Sequence, residues 1–190
     1  MEDHSSKFSK KKSGVFFFKS SSPFEFYHIL NNIDLEPKEN IYGSLIFPEN
    51  AKLPCPLVIA IHGSAGLRGN HHDHIVNLLE AGIAVFRIHS FEARGLISIV
   101  ENQMAVTLAT MITDAFRALS LMSQHPDIDP NKIGIAGWSL GGSTAFYSAW
   151  QPIINALTIS DEKFSAHLPL YPGTHIKPDI NEWSDAPMHI

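Results

Sequence analysis

Three short, largely apolar runs recur along the chain, and segments with helical periodicity separate them. The runs are Leu57–Ile61, Ile83–Ile88 and Ile133–Ala136. A strand that is apolar at successive positions, instead of alternating, is typical of a strand covered on both faces. Buried strands that alternate with helices predict βαβ units and a mainly parallel sheet. The pattern therefore predicts an α/β protein, a three-layer αβα sandwich around a mainly parallel central sheet.

The segments between these runs place apolar residues three or four positions apart, the spacing of an amphipathic helix. Residues that stop helices follow them: Gly82, Pro126 and Pro152. The predicted helices are His71–Ala81, a long helix from Met104 that ends before Pro126, and Leu140–Trp150; further strands are predicted at Ile41–Phe47, at Ala166–Tyr171 and, as an opening only, at Ala186–Ile190.

Size and composition indicate one domain behind a polar lead-in. The 190 residues suffice for one domain with a full core and are too few for two of ordinary size. Apolar residues make up 44% and charged residues 17%, the balance of a globular protein. Residues 1–22 are basic, Ser-rich and without apolar periodicity, so we expect a flexible N-terminal segment there and the domain at 23–190.

Charge and hydropathy argue against several classes of function. The chain carries 14 Lys and Arg against 19 Asp and Glu, a net charge of −5, which gives nucleic-acid binding little electrostatic support. The apolar stretch Val15–Phe18 is too short for a secretory signal, and no run approaches the ~18 apolar residues that span a bilayer. Cys55 is the only cysteine, so no intrachain disulfide can form. We therefore expect a cytoplasmic protein that binds neither nucleic acid nor membrane.

A glycine-flanked serine lies between a predicted buried strand and a predicted helix. The sequence Gly137-Trp-Ser-Leu-Gly141 matches G-x-S-x-G, in which the serine occupies a sharp, strained turn. The residues two positions before and after that serine must be small to avoid clashes, and both are glycine. The turn would raise the Ser139 hydroxyl above the carboxyl edge of the sheet, at a helix N-terminus that favours developing negative charge. The pattern predicts that Ser139 is a nucleophile; a turn that only closes a βα loop is the alternative.

A second glycine loop, His62-Gly-Ser-Ala-Gly66, follows the strand that ends at Ile61. Alone, such a loop is unspecific, and its histidine is more often structural than catalytic. The two motifs nevertheless come in the right order, each directly after its own buried strand. Their pairing favours a hydrolase over two unrelated turns.

Together these motifs resemble the dienelactone hydrolase-like family of the α/β-hydrolase superfamily. The resemblance covers about residues 40 to 190, and it also rests on Ser90-Phe-Glu-Ala-Arg-Gly95, on the stretch 129–142 and on Tyr171-Pro-Gly173. It implies the α/β-hydrolase fold, apparently truncated, with the C-terminal strands and final helix missing. Members named for dienelactone cleavage typically use a cysteine nucleophile. Ser139 stands in that place here, which favours a general ester over dienelactone.

The resemblance also implies the rest of the site. In hydrolases of this fold the residue after the nucleophile and one in the first glycine loop donate backbone N–H groups to the oxyanion. Here these are Leu140 and Ser64, with Ala65 the next choice for the loop donor. The triad order is serine, acid, histidine, and the acid is expected after a strand that begins near Pro187. The triad acid and histidine are therefore expected not to be in this chain, and the 190-residue form is expected to be inactive or nearly so.

The histidines that follow Ser139 offer weak substitutes for the missing base. His167 and His189 lie inside strand patterns, where a structural role is expected. His175 follows the Tyr171-Pro-Gly173 loop and is the only loosely plausible base, with Asp179 as a conceivable acid. The usual chain order of the triad argues against this pair.

Two further polar groups have competing interpretations. The histidines in His71–His74 resemble a metal cluster, but no second ligand pair is evident in the sequence, so the polar start of a helix is the better interpretation and no metal is expected. Arg94 either contacts a substrate carboxylate through a bidentate pair or braces its own loop.

These expectations combine into a hydrolase that cleaves a small carboxylic ester or lactone through a serine acyl-enzyme, with a small-molecule ester as its partner and no cofactor. Two alternatives stay open. One is a non-catalytic α/β-hydrolase-fold protein that binds a ligand or partner in the same cleft. The other is a peptidase or acyltransferase with the same nucleophile elbow. The sequence leaves the oligomeric state unknown.

Overall fold

A computed structural model describes residues 13–190 as a six-stranded sheet flanked by helices. The strands are β1 (Gly14–Ser21), β2 (Lys38–Ile46), β3 (Cys55–Ile61), β4 (Ala84–Ile88), β5 (Ile128–Trp138) and β6 (Ala166–Leu170), and the helices are α1 (Phe26–Asn32), α2 (Gly69–Glu80), α3 (Leu108–Met122), α4 (Leu140–Tyr147) and α5 (Gln151–Leu157). The order across the sheet is β1-β2-β4-β3-β5-β6.

The sheet is parallel in its central and C-terminal part. β4, β3, β5 and β6 pair in parallel, whereas β2 is antiparallel to both β1 and β4. Because these four strands run the same way, their carboxyl ends meet at one edge, and the two glycine motifs follow β3 and β5 at that edge. The predicted mainly parallel α/β sheet is confirmed.

Two apolar clusters cover opposite faces of the sheet. In α2, Ile75 packs with Ala60, Val85 and Trp138, which point to one face because successive strand residues alternate. The other face carries the larger cluster, which includes α1, α3, α4 and α5 side chains and the alternate strand residues, such as Ile59 of β3. The two clusters give the three layers that the sequence predicts.

The long predicted helix, α3, begins four residues later than Met104. Thr107 caps it, since its hydroxyl accepts a hydrogen bond from the Thr110 N–H. Leu119 and the other residues of the predicted apolar stripe from Leu108 to Met122 lie within the helix, and all but Leu108 are buried. This helix carries Asp114 into the interior, where the Ser20 hydroxyl and the Arg94 guanidinium donate to its carboxylate.

The prediction of a flexible segment at residues 1–22 is wrong for Gly14–Ser21. These residues form β1, which pairs with β2 over its whole length. The Lys- and Ser-rich composition obscured a short alternation, in which Phe18 is buried against Phe86 and Phe17 is exposed on the other face. Residues 1–12 lie outside the described part of the chain.

The end of the chain continues the sheet pattern. The His167 N–H donates to the Pro187 carbonyl at 2.9 Å, and the His189 N–H donates to the His167 carbonyl at 3.0 Å. Met188 thereby forms a parallel bridge to β6, so the predicted opening of a further strand is present. No helix within residues 13–190 combines the length and apolar character needed to cross a membrane.

Candidate active site

Ser139 occupies the tight turn between β5 and α4. Its backbone lies at φ 55° and ψ −113°, a conformation that a residue with a side chain adopts only under strain. The side chain is exposed, whereas Trp138 before it and Gly141 after it are buried. The strained turn predicted from G-x-S-x-G is therefore present.

Close backbone approaches explain the two flanking glycines. A Cβ on Gly137 would collide with the Gly141 carbonyl, and a Cβ on Gly141 would collide with the Ile61 carbonyl at the end of β3. A Cβ on Gly63 would lie 3.3 Å from the Ser139 Cβ. The first glycine loop therefore lies directly against the tight turn at Ser139.

Three hydrogen bonds hold the backbone of Ser139. Its N–H donates to the Leu170 carbonyl at the end of β6, at 3.0 Å. Its carbonyl accepts from the Ser143 N–H at 2.8 Å and from the Ser143 hydroxyl at 3.3 Å. The Ser143 hydroxyl in turn accepts from the Gly173 N–H at 2.8 Å, so its own proton is left for the Ser139 carbonyl. The elbow is fixed by the neighbouring strand and by the helix that follows it.

The first glycine loop is a closed turn with its own supports. The Gly63 carbonyl accepts from the Gly66 N–H at 2.9 Å, and Gly66 adopts a φ of 76°. The Ser64 carbonyl accepts from the Ile99 N–H at 2.8 Å and from the Ser98 hydroxyl at 3.2 Å. Within residues 13–190, no backbone carbonyl accepts the Ser64 N–H.

His62 lies buried beneath this loop, with 3% of its surface exposed. Its Nδ1 is 3.0 Å from the Gly63 carbonyl oxygen, and its ring meets Phe91 edge to face at 4.3 Å. Burial lowers the pKa of His62 below its ordinary value, although the bond to Gly63 opposes the shift. Its Nε2 is buried and has no hydrogen-bond partner among the described residues.

No hydrogen bond joins the Ser139 hydroxyl to a side chain within residues 13–190. His167 is buried with its Nδ1 2.9 Å from the Ala145 carbonyl, which confirms the structural role predicted for it. His175 lies exposed in the loop after β6, beside Gly173. A triad acid and histidine from elsewhere in the protein stay a prediction.

The contacts of Arg94 favour one of its two sequence interpretations. Its side chain is 10% exposed and forms a bidentate pair with Asp114, at 2.8 and 3.1 Å, and an ion pair with Glu39 at 2.9 Å. It also donates to the Ser90 carbonyl and the Ser22 hydroxyl. Burial alone would lower the pKa of Arg94, but the two carboxylates outweigh it and raise that pKa. The guanidinium is thus engaged by protein acceptors, which favours the bracing role over the substrate contact.

The histidines at the start of α2 pack against the elbow tryptophan. The His71 and His74 rings lie 4.6 and 5.6 Å from the Trp138 ring. The His71 Nδ1 accepts a hydrogen bond from the Arg68 N–H at 2.9 Å, which caps the helix. Among residues 13–190, no group of three or more His, Cys, Asp or Glu side chains is arranged to hold a metal ion. The predicted role at a helix start is confirmed for His71.

A cleft of about 500 Å³ lies at the opposite edge of the sheet from Ser139. Ser123, Asn131 and Lys163 line it, near the amino ends of β5 and β6. Since the strained serine and both glycine loops lie at the carboxyl edge, this cleft belongs to a different part of the molecule. This cleft is therefore not part of the candidate active site.

The segment after β6 is tied to one face of α4. Besides the Gly173 contact to Ser143, the Tyr147 hydroxyl donates to the Ile176 carbonyl at 2.8 Å and accepts from the Ile176 N–H at 2.9 Å. Further along, the Trp150 ring N–H donates to the Ile180 carbonyl at 2.8 Å. Sequence reasoning missed these contacts. The signal for Ser143 was its position four residues after Ser139, where a helical hydroxyl can bond back to the carbonyl.

Comparisons with known proteins agree with this geometry. Residues 24–166, well over half of the chain, match the family described as Acetyl xylan esterase (AXE1). A Bacillus subtilis (strain 168) protein, "Putative hydrolase YtaP", is 25% identical over 138 residues, which cover 62% of this chain and 46% of that protein. The chain thus spans less than half the length of that curated relative.

Two solved structures show the same fold. "Putative Dienelactone Hydrolase from Klebsiella pneumoniae subsp. pneumoniae MGH 78578" superposes with a TM-score of 0.56 at 17% identity, over 92% of this chain and 65% of that one. "Acetyl xylan esterase from Paenibacillus sp. R4" superposes with a TM-score of 0.54 at 16% identity, over 90% and 52%. At these identities the likeness shows the fold, and it confirms the α/β-hydrolase fold expected from the two glycine motifs.

Proposed function

The chain belongs to the acetyl xylan esterase (AXE1) family, and from that premise we propose that it is a serine hydrolase that cleaves a small carboxylic ester through an acyl-enzyme on Ser139. The observation that carries the proposal is the exposed Ser139 hydroxyl on a backbone with φ 55°, with the Gly63 loop packed against it. Strain of this kind persists where the surrounding structure enforces it, and it is concentrated at active sites.

The proposed reaction has two steps. A base takes the Ser139 proton while its oxygen attacks the ester carbonyl carbon, and the negative charge of the tetrahedral intermediate faces the N–H groups of Leu140 and Ser64. The C–O bond to the leaving alcohol then breaks, and the alcohol takes the proton from the base. Water attacks the acyl-enzyme in the same way and releases the acid. We propose that the base and its acid come from chain beyond Ile190, so that the 190-residue form turns over little or no substrate.

The family and the nucleophile narrow the substrate class. The family name and one solved neighbour point to acetyl esters of a carbohydrate, so an acetyl ester is the first candidate. A serine nucleophile favours such esters and simple lactones over dienelactone. No cofactor is required by this chemistry. We further propose that the protein acts in the cytoplasm on a small molecule, without nucleic-acid or membrane partners.

Covalent labelling tests the proposal. A fluorophosphonate probe is applied to the 190-residue chain and to the chain extended by the reading frame that follows Ile190, and the labelled peptide is identified by mass spectrometry. We expect labelling at Ser139 and turnover of p-nitrophenyl acetate by the extended form. Ser139→Ala should reduce turnover by at least ~1000-fold without unfolding the protein. Turnover that survives this change would refute the assignment.

One observation favours a second candidate, a ligand-binding protein without catalysis. No hydrogen bond joins the Ser139 hydroxyl to a side chain within residues 13–190. If neither form of the protein reacts with the probe or with any member of a panel of p-nitrophenyl esters, lactones and peptide amides, this candidate gains support. Hydrolysis of the amides or transfer of the acyl group to an alcohol would instead indicate a peptidase or an acyltransferase.

A further inference from the structure

We propose that His62 and Ser143 are positioning residues that orient the two oxyanion donors, each through a hydrogen bond to the carbonyl oxygen of the donor's own peptide unit. The inference rests on the proposed function, in which the Ser64 and Leu140 N–H groups receive the oxyanion. It assigns a role to two polar side chains that would touch neither the substrate nor the Ser139 hydroxyl.

The first donor belongs to the peptide unit between Gly63 and Ser64. Its carbonyl oxygen accepts from the His62 Nδ1 at 3.0 Å and from the Gly66 N–H at 2.9 Å. In a trans peptide the C=O and N–H bonds point in opposite directions within one plane. Two donors on the Gly63 carbonyl therefore fix the direction in which the Ser64 N–H points.

The second donor belongs to the peptide unit between Ser139 and Leu140, and its carbonyl is held in the same way. One backbone N–H and one side-chain donor reach the Ser139 carbonyl, both from Ser143, at 2.8 and 3.3 Å. The Leu140 N–H is the first of α4, so it has no acceptor within the helix. In each of these two peptide units, one main-chain N–H and one side chain thus hold the carbonyl oxygen opposite the proposed N–H donor.

The protonation state of His62 fits this role. A carbonyl oxygen can only accept, so the Nδ1 carries the proton, and burial keeps the ring neutral. Its Nε2 has no partner among the described residues, which leaves the Gly63 bond as the polar contact of this buried ring. Because hydrogen bonds in a chain polarise one another, the His62 bond should also make the Ser64 N–H a stronger donor.

The chain offers a matched control for each side chain. His167 is also buried, and its Nδ1 lies 2.9 Å from the Ala145 carbonyl. Ser148 is also buried in the same region, and its hydroxyl donates to the Thr144 carbonyl at 2.7 Å, again four residues back. Neither carbonyl belongs to a peptide unit whose N–H is a proposed oxyanion donor. Loss of these bonds should cost stability without altering the oxyanion site.

The experiment compares His62→Phe with His167→Phe and Ser143→Ala with Ser148→Ala, in the form of the protein that turns over p-nitrophenyl acetate. It measures kcat, KM, Tm and inhibition by a trifluoromethyl ketone, which mimics the tetrahedral intermediate. For the first member of each pair we expect kcat to fall about tenfold, less than the ~100-fold that loss of an oxyanion donor costs. The inhibitor should weaken by a similar factor while KM stays within about twofold. The controls should lower Tm and leave kcat and inhibition unchanged.

Conservative variants separate positioning from folding. His62→Asn keeps an N–H near the Nδ1 position and Ser143→Thr keeps the hydroxyl, so both should recover most of kcat. Equal losses of kcat in the test variants and their controls would overturn the inference while leaving the serine mechanism intact. Turnover that survives Ser139→Ala, or the absence of turnover from both forms of the protein, would instead overturn the proposed function and this inference with it.

Discussion

The elbow around Ser139 and the corner around Arg94 both carry polar residues that the sequence marks as candidates, and the structure treats them in opposite ways. The Ser139 backbone is held by hydrogen bonds on both sides, whereas its hydroxyl is exposed and has no partner among residues 13–190. The Arg94 guanidinium is enclosed and engaged by Asp114, Glu39 and two further acceptors.

This difference indicates how to tell a reactive group from a bracing one. A side chain whose hydrogen-bonding capacity is used by the protein stabilises the fold, and it has nothing left to offer a ligand. A side chain that is carried on a rigid, strained backbone with its polar atom free is pre-organised to react. Substitutions at both sites test this difference.

Removal of the Arg94 side chain should produce the largest loss of stability. Arg94→Met leaves the fully buried Asp114 carboxylate without its cationic partner, and breaking a buried ion pair in this way costs about 3–5 kcal/mol of unfolding free energy. Urea denaturation measures the loss. The matched control is Lys132→Met, in an exposed pair with Asp129, which should leave the denaturation midpoint unchanged. A loss at Arg94 no greater than that of the control would reopen its assignment as a substrate contact.

Substitution of a glycine that packs beneath the Ser139 turn should produce the next largest loss of stability. Gly141→Ala pushes a methyl group into the Ile61 carbonyl, a backbone atom that cannot move aside, and overpacking of this kind costs about 2 kcal/mol. Reactivity of Ser139 with the phosphonate should fall at the same time. Gly69→Ala provides the control, because a Cβ there meets nothing within 4 Å. If the two substitutions have the same midpoint in urea, the elbow is not held as tightly as its contacts indicate.

Release of the backbone strain at Ser139 should raise the stability of the protein, by a smaller amount than the two losses above. Ser139→Gly places a residue without a Cβ at φ 55°, which should raise the unfolding free energy by about 1 kcal/mol while turnover is lost. Ser148→Gly, at a position with ordinary helical φ, should lower it. Stability that does not rise in the Ser139 variant would argue that the turn is relaxed.

The pH dependence of stability should show the smallest effect. Burial lowers the pKa of His62 and His167 from the ordinary value of 6.5, so below that value the unfolded chain binds protons that the folded chain does not. Stability contributed by the neutral rings is present above pH 6.5 and is lost as the pH falls toward the folded-state pKa values. Calorimetry should record a Tm about 2 °C lower at acid pH, and His167→Phe should reduce that difference. An unchanged Tm would mean that the rings are solvated.

Sequence reasoning succeeded where the signal is local. The apolar run of β3 and the glycines around Ser139 predict a buried strand and a strained turn because neighbouring residues determine both. It failed for β1, whose Lys and Ser residues conceal the alternation of Phe17 and Phe18, and whose place is set by pairing with distant β2. It could not choose between the two roles of Arg94. The partner that decides them, Asp114, lies 20 residues along the chain and meets Arg94 only through the fold.

Hydrogen bonds connect the segment after β6 to α4 and to Trp150, which lies shortly after the end of that helix. Gly173, Ile176 and Ile180 are each anchored to a side chain of this helix region, and one of those anchors, Ser143, also holds the Ser139 carbonyl. A ligand or partner that displaced this segment would also disturb the Ser143 hydroxyl, and with it the turn at Ser139. A displacement of Gly173 is therefore expected to reach the Ser139 carbonyl through the Ser143 hydroxyl.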